Sequence, residues 1–161
     1  KHGFNEIIIT VGYLATMIEE HYKNGADYGV HIGYSLEGKM VEGEIVPVGL
    51  GSAGGLKKVQ EFSGFFDEPF LVICGDALID LDLTEAMAYH KSRKAVATVI
   101  CKEVPKEEVY KYGVVVTDDE NRVLSFQEKP SVEEAKSNII NTGIYIFDPV
   151  VFDYIPEGKE F

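Results

Sequence analysis

Gly75-Asp76 stands directly after an apolar run, Phe70 to Cys74, and its carboxylate is the first candidate for chemistry. In open α/β sheets, ligands bind beyond the carboxyl ends of the strands. Magnesium in such a place takes one or two carboxylates together with substrate phosphates. Asp76 is therefore a candidate magnesium ligand, with a plain turn cap as the alternative. Asp80 and Asp82, which follow closely, fit a turn residue and a helix N-cap better.

A glycine-rich stretch from Gly49 to Lys57 contains the run Gly51-Ser52-Ala53-Gly54. Small residues let backbone N–H groups approach a ligand closely, at the start of a helix whose dipole favours anions. The stretch matches neither a GxGxxG fingerprint nor a P-loop, because Leu56-Lys57-Lys58 replaces the lysine and hydroxyl of a P-loop. An anion-binding helix start and a flexible surface loop both remain open.

Glu128 and Lys129, followed by Pro130, form a third candidate. Strand alternation is expected to place Glu128 inward on the face of Leu124 and Phe126, where a carboxylate needs a polar partner such as a sugar hydroxyl. Pro130 predicts an extended conformation for Lys129, whose amine suits a phosphate as a point charge. The alternative is a frayed strand end with both charges in solvent.

Asn141-Thr142-Gly143 interrupts an otherwise apolar strand. Glycine inside a strand often marks the close approach of a ligand or of another backbone segment. Asn141 and Gly143 are expected to share a ligand-facing side, and the alternative is a bulge in which Asn141 bonds the backbone. Tyr112-Gly113, just before another strand, is either a turn or a further close approach.

The segments around these candidates alternate between strand and helix patterns. Strands are predicted at residues 6–11, 30–34, 70–74, 95–101 and 139–147, helices at 13–23, 52–62 and 83–93, and a hairpin at 113–128. A polar loop is predicted at Leu36–Leu50, a short helix at Ser131–Lys136, and a last helical turn from Asp148-Pro149. This alternation predicts an α/β fold with a mixed sheet covered on both faces, in one domain.

Composition limits the partners. The 161 residues carry a formal net charge of −12, which argues against a nucleic-acid partner. The apolar runs are too short to cross a bilayer, so no membrane contact is expected. Cys74 and Cys101 read as reduced thiols packed in strands, and the scattered histidines read as structural. A soluble, cytoplasmic protein is expected.

Taken together and in order, these motifs resemble the sugar-1-phosphate nucleotidyltransferases, which make nucleoside-diphosphate sugars. The resemblance runs almost end to end and implies a three-layer, Rossmann-like mixed sheet of the GT-A-like type. It also implies transfer of a nucleotidyl group from a nucleoside triphosphate to a sugar-1-phosphate, with release of pyrophosphate. Members are often dimers or tetramers, which leaves a homo-oligomer open.

The resemblance implies roles for the candidate residues. Asp76 would hold Mg²⁺ beside the α-phosphate and, with Lys129, would be catalytic. The nucleotide would lie along Gly51, Ser52, Ala53, Gly54 and Gly75. The sugar phosphate would be bound by Tyr112, Gly113, Glu128, Lys129, Asn141, Thr142 and Gly143.

Within the family, three stretches are most similar to the cyanobacterial-type glucose-1-phosphate uridylyltransferases, namely Tyr34–Lys39, Leu50–Gly55 and Cys74–Leu83. UTP and glucose-1-phosphate are therefore the expected substrates. The mannose-1-phosphate guanylyltransferases, which commonly carry Thr where Ser52 stands, and a non-catalytic nucleotide-sugar sensor are the alternatives. A dinucleotide-binding oxidoreductase is disfavoured, because no GxGxxG follows the Glu6–Val11 run.

Two motifs of the family are missing from residues 1–161. A Gly-x-Gly-Thr-Arg loop, which supplies the triphosphate cradle and an arginine, is expected upstream of Lys1. A second metal-binding aspartate is expected downstream of Phe161. Residues 1–161 are therefore expected to be a catalytic domain that is truncated or unresolved at both ends, and to be inactive alone.

Overall fold

The computed structural model describes residues 2–41, 44–47, 51–77 and 79–156. Two compact units are distinguished. One contains the residues up to Asp67 together with those from Phe152 onward, and the other is Glu68–Val151. Within the described residues, no helix has both the length and the apolar character needed to cross a membrane.

The first unit begins with a parallel strand pair. Strand β1 (Glu6–Val11) pairs in parallel with β2 (His31–Leu36), and helix α1 (Ala15–Tyr22) connects them. The turn before β2 requires glycine at position 25, where φ is +81° and a Cβ would meet Ile32 Cγ1 at 2.7 Å. The parallel pair fits the predicted strand–helix–strand order.

A hairpin replaces part of the polar loop predicted at Leu36–Leu50. Strands β3 (Gly38–Val41) and β4 (Glu44–Pro47) pair antiparallel, so the loop prediction was wrong over these residues. The missed signal is the two-residue spacer Glu42-Gly43 between short apolar runs, which is typical of a hairpin. Residues 42–43 and 48–50, and with them the predicted Gly49 and Leu50, lie outside the described residues.

Helix α2 (Gly51–Ser63) follows and confirms the helix predicted at 52–62. Val59, on this helix, is 5% exposed, and Phe66 beyond it is 9% exposed. The ring of Phe66 stacks on Phe152 with centroids 5.6 Å apart. These apolar contacts bury one face of α2 within the first unit.

The second unit is built on an antiparallel sheet whose middle strand is the longest one. This strand, β9 (Ile139–Phe147), pairs with β6 (Ala97–Glu103) along one edge. Along its other edge lie β5 (Phe70–Ile73) and β7 (Gly113–Thr117), and β8 (Val123–Glu128) pairs with β7. The sheet's core is apolar and at most 6% exposed at Val114, Val115, Ile140, Ile144 and Ile146.

Helix α3 (Leu83–Arg93) matches its predicted bounds, and Asp82 is its N-cap. Asp82 Oδ1 accepts hydrogen bonds from the backbone N of Thr84 and of Glu85, at 2.9 and 3.1 Å. Short 3-10 helices cover Ala26–Tyr28, Lys106–Lys111 and Pro149–Tyr154, and the last confirms the helical turn predicted from Asp148-Pro149. The capping aspartate is thus structural, as its spacing from Glu85 predicted.

The short helix predicted at Ser131–Lys136 is instead a turn. The side-chain amide of Gln127 takes two backbone bonds from this segment. Its Oε1 accepts from Lys136 N at 2.8 Å, and its Nε2 donates to Glu134 O at 3.0 Å. The prediction failed because the Gln127 side chain, on a neighbouring strand, forms hydrogen bonds with backbone groups that would otherwise pair within a helix.

Candidate functional site

Asp76 lies in the turn that leaves β5. The turn is closed by a hydrogen bond from Ala77 N to Cys74 O at 3.0 Å, and both Gly75 and Asp76 are exposed. No ion pair or hydrogen bond engages the Asp76 carboxylate within the described part of the chain. A carboxylate held on a short turn and left to solvent is available to a ligand.

The predicted Asn141-Thr142-Gly143 site forms a bulge in β9. Opposite the consecutive residues Ile100 and Cys101 of β6 stand Ile144 and Asn141, so the register jumps at this point. Gly143 has a φ of +75°, and its N donates to Asn141 Oδ1 at 2.9 Å. Asn141 does bond the backbone, as the structural alternative proposed, and bulges often stand beside active sites.

The bulge is fixed to the strands on both sides of β9. Thr142 Oγ1 donates to the carbonyl oxygen of Ile100 at 2.6 Å, so its hydroxyl serves the fold. On the other side, the thiol of Cys74 donates to Gly143 O at 3.7 Å. The Gly75-Asp76 turn therefore follows a residue that touches the bulge.

Gly113 lies between the two other candidate segments. It pairs with Glu128 across β7 and β8, and a Cβ at this position would meet Glu128 Oε2 at 3.5 Å and Asn141 Cβ at 3.9 Å. Tyr112 O accepts from Lys129 N at 3.1 Å. Candidate residues from three separate segments of the sequence thus meet at one end of this sheet, and the Gly75-Asp76 turn follows Cys74, which contacts the bulge there.

Two predictions about the Glu128-Lys129 pair were wrong. Lys129 is in the left-handed region, with a φ of +42°, rather than extended. Pro130 restricts the preceding residue mainly against the right-handed helical region, and the bond from Lys129 N to Tyr112 O holds the left-handed turn.

Glu128 is also not inward. Leu124 and Phe126, on the same side of β8, are 64% and 56% exposed, and the Glu128 side chain is 79% exposed. β8 is an edge strand that pairs only with β7 among the described strands, and the exposure of Leu124 and Phe126 shows that its side chains here have no apolar layer over them. Lys129 Nζ is 3.8 Å from Glu128 Oε1, and at such exposure an ion pair is weak enough to yield to a ligand.

The donor set around Asp76 fits a magnesium ion that is shared with a ligand. Among the described residues, no group of three or more His, Cys, Asp or Glu side chains is arranged to hold a metal. A self-sufficient metal cage is therefore not formed by these residues. A single exposed carboxylate is what magnesium uses when phosphates and water supply the remaining ligands.

The predicted nucleotide segment belongs to the other unit, apart from Gly75. Gly51 has a φ of +69° and starts α2, so Gly51, Ser52, Ala53 and Gly54 form its first turn. Backbone N–H groups there lack helical partners and can meet an anion. Lys57 and Lys58 do not contribute their charges to an anion at the start of α2. Their Nζ atoms instead donate to Ile155 O at 3.0 Å and Leu36 O at 2.5 Å.

Two residues near the candidates were missed by sequence reasoning. The Tyr145 hydroxyl oxygen accepts a hydrogen bond from Asn141 at 2.6 Å. Regular strand spacing does not predict this contact, because the bulge shortens the distance between the two residues along the strand. Glu37 places its carboxylate against Gly55 of α2, where any Cβ would collide with Glu37 Oε1. A carboxylate at the end of β2 was the available signal for Glu37.

The buried histidine serves the fold, and the two cysteines form no disulfide. His90 is 2% exposed, and its Nδ1 lies 2.8 Å from Thr98 Oγ1, as expected of a structural histidine. Cys74 and Cys101 are free thiols. Both are exposed rather than packed, and Cys74 lies beyond the end of β5. Partial desolvation still raises the pKa of the Cys101 thiol.

Comparisons with known proteins point to one family. The family model described as nucleotidyl transferase matches residues 1–160. The chain is 58% identical over its full 161 residues to a Synechocystis UTP–glucose-1-phosphate uridylyltransferase, of which it covers 42%. It is 35% identical over 157 residues, 96% of its length, to a Dictyostelium discoideum mannose-1-phosphate guanylyltransferase catalytic subunit beta, of which it covers 40%. The chain thus spans less than half of these relatives.

Solved structures of similar fold agree. A Bacillus anthracis protein assigned as a glucose-1-phosphate thymidylyltransferase, in complex with sucrose, matches with a TM-score of 0.75 and 26% identity, over 96% of this chain and 57% of that one. A UDP-glucose pyrophosphorylase complexed with UDP-glucose matches with a TM-score of 0.70 and 24% identity, over 92% and 60%. The predicted α/β class with mixed strand pairing is confirmed.

Proposed function

This chain belongs to the nucleotidyl transferase family, and we propose that it is part of an enzyme that makes UDP-glucose and pyrophosphate from UTP and glucose-1-phosphate. The observation that carries the proposal is the 58% identity, over all 161 residues, to the Synechocystis uridylyltransferase. That match spans every candidate site residue. Because the chain covers 42% of that relative, the proposal concerns the whole gene product.

The proposed reaction is an in-line displacement. A phosphate oxygen of glucose-1-phosphate attacks the α-phosphorus of UTP and forms a new P–O bond. The bond from the α-phosphorus to the α,β-bridging oxygen breaks, and pyrophosphate leaves with that oxygen. No covalent intermediate on the protein is required, so the contribution of the protein is positioning and charge neutralisation.

Lys129 is proposed to hold the attacking phosphate. The exposed ion pair with Glu128, at 3.8 Å, is weak enough for the ammonium group to turn to a phosphate oxygen. The left-handed backbone at Lys129, together with its bond to Tyr112 O, sets the direction in which the side chain leaves the strand. A cation in this position offsets the repulsion between two anionic substrates, which matters in a chain of net charge −12.

Asp76 is proposed as the protein's ligand to Mg²⁺. When bound, this ion would neutralise phosphate oxygens and polarise the α-phosphorus. The Asp76 carboxylate is exposed and has no partner among the described residues, so its oxygens are available. Gly75, which adds no side chain, leaves the turn open for a phosphate to approach.

The sugar is proposed to lie against Gly113, Glu128, Asn141 and Gly143. Gly113 keeps a Cβ out of the space beside Glu128 Oε2 and Asn141. The Glu128 carboxylate and the Asn141 amide can each form a hydrogen bond with a sugar hydroxyl group. Bonds from two fixed positions also favour sugars whose hydroxyl groups point towards both. The first turn of α2 and Gly75 each remain a predicted nucleotide contact within their own unit.

Two further features fit this proposal. The strongly acidic chain suits small anionic substrates delivered with a metal better than a nucleic acid. Free thiols at Cys74 and Cys101 are typical of a reducing compartment, so we place the enzyme in the cytoplasm. The alternative, GTP with mannose-1-phosphate, is favoured by guanylyltransferase matches that are more distant, such as those at 35% and 37% identity.

The test is a matrix of pyrophosphate release by the purified intact gene product with magnesium. Each of UTP, GTP, dTTP, CTP and ATP is paired with glucose-1-phosphate and with mannose-1-phosphate. We expect the UTP and glucose-1-phosphate pair to dominate. A dominant GTP and mannose-1-phosphate signal would replace the substrates and keep the family. Folded protein that releases no pyrophosphate with any pair would instead favour a non-catalytic, nucleotide-sugar-sensing protein.

A further inference from the structure

A short series of hydrogen bonds in β9 determines how the Asn141 amide is turned. Gly143 N lies 2.9 Å from Asn141 Oδ1, and Asn141 Nδ2 lies 2.6 Å from the hydroxyl oxygen of Tyr145. The two ends of an amide have nearly the same shape, so its orientation follows from its partners. A backbone N–H can only donate, and therefore the atom facing Gly143 is the oxygen.

The orientation of the amide fixes the role of the Tyr145 hydroxyl. Since Nδ2 donates, the Tyr145 oxygen accepts. The Tyr145 ring is half-buried and lies nearly parallel to the ring of Phe147, with centroids 5.6 Å apart and planes inclined by 11°. Tyr145 also pairs with Val72 of β5 and Val99 of β6, so strands on both sides hold its backbone. The acceptor that Asn141 meets is thus a rigid one.

The bulge is what allows this contact. Residues four apart in a regular strand are separated by about 13 Å along its axis. Here Asn141 and Ile144 stand opposite the consecutive residues Cys101 and Ile100, so the strand advances by only one step between them. Asn141 and Tyr145 are thereby brought within hydrogen-bonding distance.

The bonds leave Asn141 with a defined set of unused positions. An amide side chain has two N–H donors and an oxygen with two lone pairs. Tyr145 takes one donor and Gly143 takes one lone pair. One N–H and one lone pair remain, and a sugar hydroxyl, which both donates and accepts, matches them. The Thr142 hydroxyl is not available for this task, because it donates to Ile100 O.

We propose that Tyr145 is a positioning residue of the sugar site, and that its hydroxyl holds Asn141 in the orientation that presents this donor and acceptor to the sugar. The inference rests on the proposed function, since it assigns Asn141 to the sugar. Tyr145 acts through Asn141 and needs no contact with substrate of its own.

The first test is Tyr145→Phe in the intact gene product, which removes the hydroxyl and keeps the stacked ring. We expect the KM for glucose-1-phosphate to rise about three- to tenfold, as for the loss of one hydrogen bond. The KM for UTP and kcat should stay within about twofold, because a positioning role at the sugar does not involve the nucleotide. An unchanged KM for glucose-1-phosphate would overturn the proposal.

Tyr34→Phe is the matched control. The Tyr34 hydroxyl also makes a 2.6 Å hydrogen bond, to the carbonyl oxygen of Lys23, but it lies in the other unit. This variant should leave both KM values unchanged while losing a comparable bond. A similar rise in the sugar KM for both variants would show an effect that is not specific to Tyr145 and would overturn the assignment.

A double-mutant cycle separates action through Asn141 from independent action. If Tyr145 works through Asn141, the Asn141→Ala/Tyr145→Phe protein should bind glucose-1-phosphate no more weakly than Asn141→Ala alone. Additive losses would overturn the proposal.

A final readout needs no turnover. The Asn141 side-chain amide signal in a ¹H–¹⁵N spectrum should shift, and its hydrogens should exchange faster, in Tyr145→Phe and not in Tyr34→Phe. An inactive wild-type protein would count against the proposed function, while this signal still decides the role of Tyr145. An unmoved signal would overturn the inference.

Discussion

The thiol of Cys74 donates to the carbonyl oxygen of Gly143 at 3.7 Å, although the two residues are 69 positions apart in the chain. Cys74 closes the turn that carries Asp76, and Gly143 forms the bulge that holds Asn141. The contact therefore joins the proposed metal ligand to the proposed sugar-binding strand. A Cβ at Gly143 would lie 3.3 Å from the same sulfur, so the junction leaves little spare room.

Gly143→Ala is expected to damage both stability and sugar binding. A non-glycine residue at a φ of +75° costs about 1–2 kcal/mol, and the added methyl group must also displace Cys74. We expect the free energy of unfolding to fall by about 2 kcal/mol in urea titrations. The KM for glucose-1-phosphate should rise, because a shifted Gly143 no longer holds the Asn141 amide in its native position.

Gly64→Ala is the control for this prediction. Gly64 has a φ of +59°, and a Cβ there meets nothing within 4 Å. It should show the backbone strain alone, with unchanged kinetics. Adding Cys74→Ala to Gly143→Ala should relieve the contact and leave the strain. An equal loss of stability in Gly64→Ala and Gly143→Ala would show that the Cys74 contact contributes nothing.

Asp76→Asn tests the proposed metal ligand. The change keeps the size of the side chain and removes its charge, so turnover should fall by about 10²–10³-fold. The magnesium concentration that gives half-maximal rate should rise. Asp80→Asn, an exposed carboxylate close by in the sequence, should behave like the wild type. Equal magnesium dependence in the two variants would remove Asp76 from the metal site.

Lys129 combines a proposed catalytic charge with a strained backbone, so two substitutions should separate activity from stability. Lys129→Ala should lower turnover by about 10²–10³-fold. Lys129→Gly should lower it equally, yet raise the free energy of unfolding relative to Lys129→Ala by up to about 1 kcal/mol, because glycine accepts the φ of +42°.

Lys23→Ala is the matched control for Lys129. Lys23 has a φ of +50° and an exposed ion pair with Asp27 at 3.4 Å, but it lies in the other unit. Its stability should also change, and its turnover should not. Near-normal turnover of Lys129→Ala would refute the role proposed for the lysine.

Local patterns predicted much of this fold. The bounds of β1, β7, β9 and α3 follow from apolar periodicity and, at Asp82, from the capping residue, since all the information lies within a few neighbouring residues. The grouping of Gly113, Glu128 and Asn141 was implied by the resemblance to the nucleotidyltransferase family. It did not require the orientation of each side chain to be predicted.

The failures share one physical cause, which is pairing between distant segments. The conformation of Lys129 depends on a bond to Tyr112 O, and the exposure of Glu128 depends on what packs against its face of β8, where Leu124 and Phe126 are exposed too. The bond from Asn141 to Tyr145 depends on the register against β6, in which Asn141 and Ile144 stand opposite consecutive residues. None of these is encoded in the spacing of the residues concerned.

His90 should make the stability of the second unit depend on pH. The ring is 2% exposed and bonded to Thr98, and burial lowers its pKa from the usual 6.5; Lys91 adds to this effect and Asp148 opposes it. The folded state therefore binds fewer protons than the unfolded chain once the pH falls below about 6.5. The free energy of unfolding should be at its full value above this pH and decline as the pH falls towards the lowered pKa.

His90→Gln tests this dependence directly, because an amide can still bond the Thr98 hydroxyl but does not titrate. Urea unfolding of the wild type between pH 7.5 and pH 5.5 should show a decline that is shallower in His90→Gln. His21→Gln, which changes an exposed histidine, should keep the wild-type slope. The variant should be less stable than the wild type at pH 7.5, since glutamine fills the buried site less well. Parallel pH curves for all three proteins would mean that His90 becomes protonated inside the fold without cost, which its burial beside Lys91 argues against.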